Sequence, residues 1–432
     1  MTKIKLGNFI KTTSKTTFVK AGGMAIGVLV SISLGRILGS EGLGIINLSN
    51  QISGLLSMLV LLGLPSVILK ETAISVNKKN WGHIRNVIVT SLKINVPLAV
   101  LVTLLSYSFI PFIVTHFFED SLELPLKIIT TVIIFKVISR IFGASLNGYH
   151  KIWQSSLVGN TLSILIVSIL ILVQYLLKWQ ITVITVAFSY AIARIIVSII
   201  ISLYWKEVHH KAENISKAFI PITLLKVGLP LLFVQATNTI ANSIDSIMIG
   251  SFLSMKDVGL YAVAFRIAFV SSFFLQVTNA VLAPKVATMF ANNEIDKLER
   301  MVQKVTGVLI LIGIVGLLVV IFGGKFMLSL WGQEFSEAYY PLIILSIGQL
   351  FNIGAGAVGL ILILCNEEKN WGYVTLGSAI FNTVLNFVFI QYLGIGGAAL
   401  ATSINMIAIN IIGVIIIKKK IGIVTIPYIR KI

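Results

Sequence analysis

The chain is short of acid and short of charge altogether. Its 432 residues hold 16 Asp and Glu against 34 Lys and Arg, and the four charged types make up only 12% of the sequence. A soluble protein of this length carries about twice that fraction, so this composition does not describe a water-facing globular surface. A single cysteine, Cys365, excludes an internal disulfide and any cysteine-built metal cluster. The five histidines (His83, His116, His150, His209 and His210) fall in or beside expected loops, and none shows HExxH spacing. No P-loop motif occurs, which sets aside ATP hydrolysis by this chain. Gly354-Ala355-Gly356-Ala357-Val358-Gly359 matches GxGxxG in form only. It lies inside an apolar run with no preceding strand, so close helix approach explains it better than a dinucleotide.

What is present is hydrocarbon. Apolar residues make up 56% of the chain and the mean hydropathy is +0.97. A helix of about 20 apolar residues crosses a bilayer. The sequence predicts about twelve, at roughly 16–38, 43–69, 86–110, 124–147, 153–176, 180–204, 220–250, 258–281, 302–323, 338–364, 371–391 and 395–417. The basic start and the apolar run from Phe18 are read as a first span rather than a leader, because no small-residue cleavage site follows and the apolar pattern continues. The connections alternate in charge. Lys3, Lys5, Lys11 and Lys15 open the chain, followed by basic loops at Lys78, Lys79 and Arg85, at Lys206, Lys211 and Lys217, and at Lys297, Arg300 and Lys304. The tail adds Lys418, Lys419, Lys420, Arg430 and Lys431. The intervening loops are poor in Lys and Arg, and two are acidic, at Glu119, Asp120 and Glu123 and at Glu334 and Glu337. The positive-inside rule then places both termini in the cytoplasm and accounts for most of the net charge of +18 without nucleic acid.

The chain is also written twice. GRILGSEGLGII at 35–46 corresponds to GSFLSMKDVGLY at 250–261, an offset of about 215 residues. Lys151-Ile152-Trp153 corresponds to Lys369-Asn370-Trp371 at an offset of about 218. Two six-helix lobes of the same orientation follow, at 1–212 and 213–432, within one membrane unit. Repeats of this kind commonly enclose a central substrate site and rock to give alternating access. Gly22, Gly23 and Gly27 in the first span and Pro230 in the seventh occupy corresponding helices. They serve either as hinges or as close-packing points and a plain kink.

Against this apolar background stand cations that should not be there. Lys20, Arg36, Lys93, Lys136, Arg140, Arg194 and Arg266 lie in or at the end of spans, and Asp245 is the one acid in such a position. A charge in hydrocarbon is retained where it faces a cavity or a partner. Lys136, Arg140 and Asn147 share one helical stripe, as do Gln235, Asn238, Asn242 and Asp245. Further polar series are Asn47, Asn50, Gln51, Gly54 and Ser57 in the second span, and Ser378, Asn382 and Asn386 in the eleventh. Such amides either meet sugar hydroxyls or bond neighbouring helices together. Lys93, Lys226 and Arg36 are accounted for by membrane edges and snorkelling. The residues expected to line a cavity are therefore Lys20, Lys136, Arg140, Arg194 and Arg266, with Asn238 and Asn242 beside them. Asp245 and Arg266 are close enough in the topology to form an ion pair or gate, which competes with a substrate role for Arg266.

Several motifs carry a family resemblance: Leu38-Gly39-Ser40-Glu41-Gly42-Leu43-Gly44, Leu62-Gly63-Leu64-Pro65, Asp245-Ser246-Ile247-Met248-Ile249-Gly250 with Val258-Gly259-Leu260-Tyr261, Trp331-Gly332-Gln333-Glu334-Phe335, and Leu393-Gly394-Ile395-Gly396-Gly397-Ala398-Ala399-Leu400-Ala401-Thr402. In this order, at span boundaries along the whole chain, they resemble the MOP exporter superfamily, and within it the polysaccharide and O-antigen flippase (Wzx-like) branch. The resemblance implies an all-α, MATE/MOP-like polytopic fold in a bacterial cytoplasmic membrane. It also implies transport of an undecaprenyl-pyrophosphate-linked oligosaccharide to the outer leaflet, with no catalytic residues and no cofactor. Polysaccharide polymerase and chain-length proteins are the partners it suggests. A proton gradient, a sodium gradient and the membrane potential all remain open as energy sources. Two alternatives stand beside it. A multidrug or cation antiporter of the same fold commonly uses an intramembrane acid in the first half, where this chain has only Glu71, at a membrane edge. A membrane polymerase or glycosyltransferase would have only the acidic loop at Glu119, Asp120 and Glu123 to work with.

Overall fold

The computed structural model describes the backbone of residues 6–209 and 221–427; the side chains of residues 6–17, Asn160, Pro221, Val234, Asn238 and Asn242 lie outside the described set. Every regular element among the described residues is helical. The first part of the chain comprises α1 (Leu6–Leu61), α2 (Leu64–Asn77), α3 (Trp81–Phe117), α4 (Glu123–Thr131), α5 (Ile133–Gly148), α6 (Ile152–Ser156), α7 (Leu162–Leu176) and α8 (Val183–Val208). The remainder comprises α9 (Pro221–Phe252), α10 (Met255–Ala268), α11 (Ser271–Ala291), α12 (Ile295–Ser329), α13 (Tyr339–Gly354), α14 (Val358–Leu364) and α15 (Glu368–Lys420).

Among the described residues, eight helices are long and apolar enough to cross a membrane, and ten are reached when two bent pairs are each taken as one span. Two of the eight, α1 and α15, contain a glycine whose backbone is not helical: Gly39 (φ 71°) and Gly394 (φ 58°). Each interrupts a continuous rod, so the count of about twelve expected from the sequence is approximate against these eight to ten. Only a residue without a Cβ takes that left-handed conformation at little cost. The bent pairs fold by 43° between Thr131 and Ile133 and by 41° around a π-helical turn, Leu157–Thr161. Capping boxes set two other starts, Thr182 with Thr185 for α8 and Ser254 with Asp257 for α10.

Two readings are open for Gly22, Gly23 and Gly27, and the backbone shows no break at them. α1 is helical through them and departs from helix only at Gly39. Gly23 is instead a close-packing point, where an added Cβ would lie 3.1 Å from Thr161 Cβ. Pro230 likewise sits within α9 without ending it.

The chain divides into two compact units, Met1–Thr239 and Ile240–Ile432, with the division inside α9. The first unit packs Val60, Leu64, Ile68, Ile84, Ile88, Ile133, Val137, Ile141 and Ile201 into one apolar cluster. The first part of α9 belongs to this unit and is held at close range. A Cβ on Gly63 (φ 71°) would lie 2.7 Å from Leu232 N, and one on Gly228 would lie 2.6 Å from Leu62 O. Gln235 Nε2 donates to Ser66 Oγ nearby, at 3.0 Å. In the second unit Leu282, Val286, Leu298, Val302, Ile361, Cys365, Ile417 and Ile423 gather the ends of α11, α12, α14 and α15.

Candidate functional site: an unpaired cation cluster and a buried carboxylate

α5 begins just after the bend in the fourth span, so its first turns are aimed by that bend rather than by a straight helix. Lys136 and Arg140 lie one turn apart on it and share a face. Lys136 Nζ donates to Ser53 Oγ at 2.8 Å, and Ser53 Oγ in turn donates to Ile129 O at 3.1 Å. The second span therefore supplies the oxygen that holds the ammonium in place. Arg194 comes from α8 and donates through Nη1 to the carbonyl of Gly159 at 3.3 Å. Gly159 lies in the π-helical turn of the fifth span, where one extra residue per turn loosens the normal carbonyl pairing. Its α-carbon faces open space, as do those of Gly22 and Gly54.

Lys136, Arg140 and Arg194 are electrostatic neighbours: Lys136 feels both arginines and Arg194 feels Arg140. No ion pair among the described residues involves any of the three. Arg194 Nε is buried without a hydrogen-bond partner, and so are Asn147 Oδ1 and Gln154 Oε1. Arg140 remains exposed. Glu71, the acid on α2, is taken by His83 at 3.1 Å. Three cations held together with no acid paired to them among the described residues repel one another, and the partly buried Lys136 and Arg194 also lose hydration. An anion offered to them gains Coulombic attraction, and a guanidinium adds a bidentate fork that matches phosphate oxygens.

The second unit holds a carboxyl group in a different setting. Asp245 is 4% exposed and accepts three hydrogen bonds: from Tyr261 Oη at 2.7 Å, Thr402 Oγ1 at 2.6 Å and Asn386 Nδ2 at 2.8 Å. Asn386 Nδ2 also contacts Asn382, one turn earlier on α15. Hydroxyl and amide donors thus occupy the Asp245 carboxylate. Tyr261 and Arg266 are five residues apart on α10, which turns them about 140° away from each other. Facing Tyr261 toward Asp245 therefore aims Arg266 elsewhere.

Of the residues expected at a cavity, the structure brings together Lys136, Arg140 and Arg194. Lys20 is exposed on the first span and makes no hydrogen bond or ion pair among the described residues. Arg266 belongs to the second unit. The side chains of Asn238 and Asn242 lie outside the described residues. Sequence reasoning passed over Ser53, although it sits one turn before Ser57 in the polar series of the second span. Gly159 gave no signal, because it takes part through its backbone carbonyl, which every residue carries. Tyr261 and Thr402 stood in the motifs that carry the resemblance, but nothing in their spacing named Asp245 as their acceptor.

Comparison with known proteins bears on the family and the fold. The family model described as "Polysaccharide biosynthesis protein" matches residues 9–290, and the MatE model matches residues 230–388. The chain is similar to "Probable low-salt glycan biosynthesis flippase Agl15" of Haloferax volcanii, 29% identical over 167 residues, covering 38% of this chain and 35% of that protein. It is also similar to "Capsular polysaccharide biosynthesis protein CapF" of Staphylococcus aureus, 25% identical over 206 residues, covering 48% of this chain and 51% of that one. These matches therefore span about half or less of either relative. Among solved structures, an inward-facing multidrug resistance MATE family transporter of the MOP superfamily superposes with a TM-score of 0.77 at 17% identity, covering 92% of this chain and 94% of the other. The lipid II flippase MurJ in its inward closed conformation gives 0.75 at 15% identity, covering 93% and 87%. At these identities the likeness establishes the fold.

Proposed function

Because the chain belongs to the polysaccharide biosynthesis protein family, we propose that it is a flippase that carries a lipid-linked oligosaccharide repeat unit across the cytoplasmic membrane. The lipid carrier in this reading is undecaprenyl pyrophosphate. The observation that carries it is the cluster of Lys136, Arg140 and Arg194, neighbouring cations with no acid among the described residues to neutralise them. A pyrophosphate supplies what the cluster lacks. Arg140 is exposed and meets the phosphate first, Arg194 follows with its unpartnered Nε, and Lys136 stays tied to Ser53 as a fixed positive charge. Lys20, Arg266, Asn238 and Asn242 belong to the same reading as further lining groups. The cationic cluster lies in the N-terminal lobe, so the phosphates lean on that lobe while the two lobes, 1–212 and 213–432, rock to expose the site to either side. Both termini face the cytoplasm, as the basic connections require.

The curated relatives are named as flippases or capsule proteins, which supports transport rather than bond chemistry. The test is direct. Protein reconstituted in vesicles should move a fluorescent pyrophosphate-linked sugar lipid between leaflets and leave it chemically unchanged. Lengthening of the sugar chain would show a polymerase instead. Full transport by an Arg140→Ala, Arg194→Ala double variant would remove the cluster from the mechanism.

A further inference from the structure

We propose that the end of the C-terminal unit where α12 begins and α15 finishes is a docking surface for anionic phospholipid headgroups. α12 has 35 residues, about 52 Å of helix, against roughly 30 Å of bilayer hydrocarbon. Part of it must stand at or beyond headgroup level. Its opening turns are the charged part. Lys297, Arg300 and Lys304 fall at i, i+3 and i+7 and are all exposed, so they form one face. The opposite face is buried: Leu298 and Val302 are 0% and 1% exposed and pack against Ile417 and Ile423.

A second basic segment is lashed to the same place. α15 ends in Lys418, Lys419 and Lys420, all exposed. The chain then turns at Gly422 (φ 82°) and runs back along α12. Val424 N donates to Glu299 Oε1 at 3.0 Å, and Gln303 Nε2 donates to Val424 O at 3.1 Å. Pro427 reaches Gly307. This strap fixes the end of α15 beside the start of α12 and turns Glu299 inward. Six exposed cations stand on these two segments, and the acids beside them in sequence are Glu294, Asp296 and the inward Glu299. Glu294 is engaged by Lys297 at 2.9 Å, and Asp296 contributes its backbone carbonyl to Arg300 Nε at 3.2 Å. A rigid, net-positive face at headgroup depth is complementary to a leaflet rich in phosphatidylglycerol, and each such cation adds to the attraction.

This inference rests on the membrane-spanning fold and is independent of the transported substrate. The intact protein is purified in mild detergent, titrated with an equimolar mixture of phosphatidylglycerol and phosphatidylcholine, and weighed by native mass spectrometry. Wild type should retain the anionic lipid at least five-fold over the neutral one, with the preference shrinking at high salt. The triple variant Lys297→Gln, Arg300→Gln, Lys304→Gln should fall to near parity, as should Lys418→Gln, Lys419→Gln, Lys420→Gln, which covers the case where the first fails to fold. Lys78→Gln, Lys79→Gln, Arg85→Gln in the other unit should keep the preference. Equal retention of both lipids by wild type, an unchanged preference in the variants of this face, or loss only in the control overturns the proposal. Flipping by wild-type vesicles is read separately, so failure here does not bear on transport.

Discussion

Lys136 Nζ and Ser53 Oγ lie 2.8 Å apart, a single contact that ties the fourth span to the second and fixes a positive charge inside the protein. It has no acid to answer it, so its presence costs stability that a neutral residue would not. Lys136→Met keeps the length of the side chain and removes the charge. The protein should unfold at the same temperature or slightly higher, and transport should fall more than ten-fold. Lys136→Arg should keep the charge but lose the Ser53 geometry, giving an intermediate rate. Thermal unfolding in detergent and flipping in vesicles, measured on the same preparations, check both halves of the prediction.

Gly63 and Gly228 make a different demand. Gly63 has φ 71°, and its α-carbon and that of Gly228 leave no room for a methyl group. Gly63→Ala should destabilise by about 1–3 kcal/mol from backbone conformation alone, with steric overlap against Leu232 added. Gly228→Val should be at least as damaging, because the groups it meets are backbone and cannot swing away. Gly54→Ala is the control, since its Cβ would enter open space. Denaturation midpoints of the three variants, compared at equal expression, test this ordering.

The all-helical, many-span fold was legible because hydrocarbon demands long apolar runs, and loop charge marks their ends. Lys136 and Arg140 stood out for the same reason, as charges in the wrong solvent, and helical spacing put them on one face. Their convergence with Arg194 was not readable, because it depends on a bend after Thr131 and a π-turn at Leu157–Thr161 that apolar patterning does not encode. The two rods divided at Gly39 and Gly394 illustrate the same limit from the other side. The sequence shows glycine in both places, but many glycines elsewhere in the chain, including Gly22 and Gly27, remain helical. That Asp245 takes its donors from Tyr261, Thr402 and Asn386 was not readable either, because one-dimensional depth says how far two residues are from an interface, and not which way α10 turns.

The Asp245 network yields a prediction about coupling between side chains. Its carboxylate is buried and held by Tyr261, Thr402 and Asn386. Hydrogen bonds to a charged acceptor contribute about 1.5–3 kcal/mol each. Tyr261→Phe should destabilise by roughly that amount, and Asp245→Ala by more, because three donors lose their acceptor together. Combining Tyr261→Phe with Asp245→Asn should cost less than the sum of the two single changes, as expected for residues in direct contact. Additive behaviour in the double-mutant cycle would mean that the two groups do not interact.

Cys365, the sole cysteine, provides a reporter that needs no engineering. It sits between α14 and α15, only 4% exposed, in the apolar cluster with Ile361, Leu362 and Ile417. Burial disfavours the thiolate and pushes its pKa up from 9.0 to about 11. At pH 7.5 the thiolate fraction should then be on the order of 0.03%, and the thiolate is the reactive form. Maleimide should label the native protein slowly and the SDS-denatured protein fully within minutes. The sign of the pH effect on stability follows from the same shift. The unfolded thiol ionises near 9 and the folded one near 11, so this contribution is complete below pH 9 and is lost as the pH rises toward 11. Opening of the cluster at the ends of α12 and α15 would expose the sulfur. Deleting the strap beyond Gly422 should therefore raise the native labelling rate several-fold, and an unchanged rate would show that the strap does not seal this cluster.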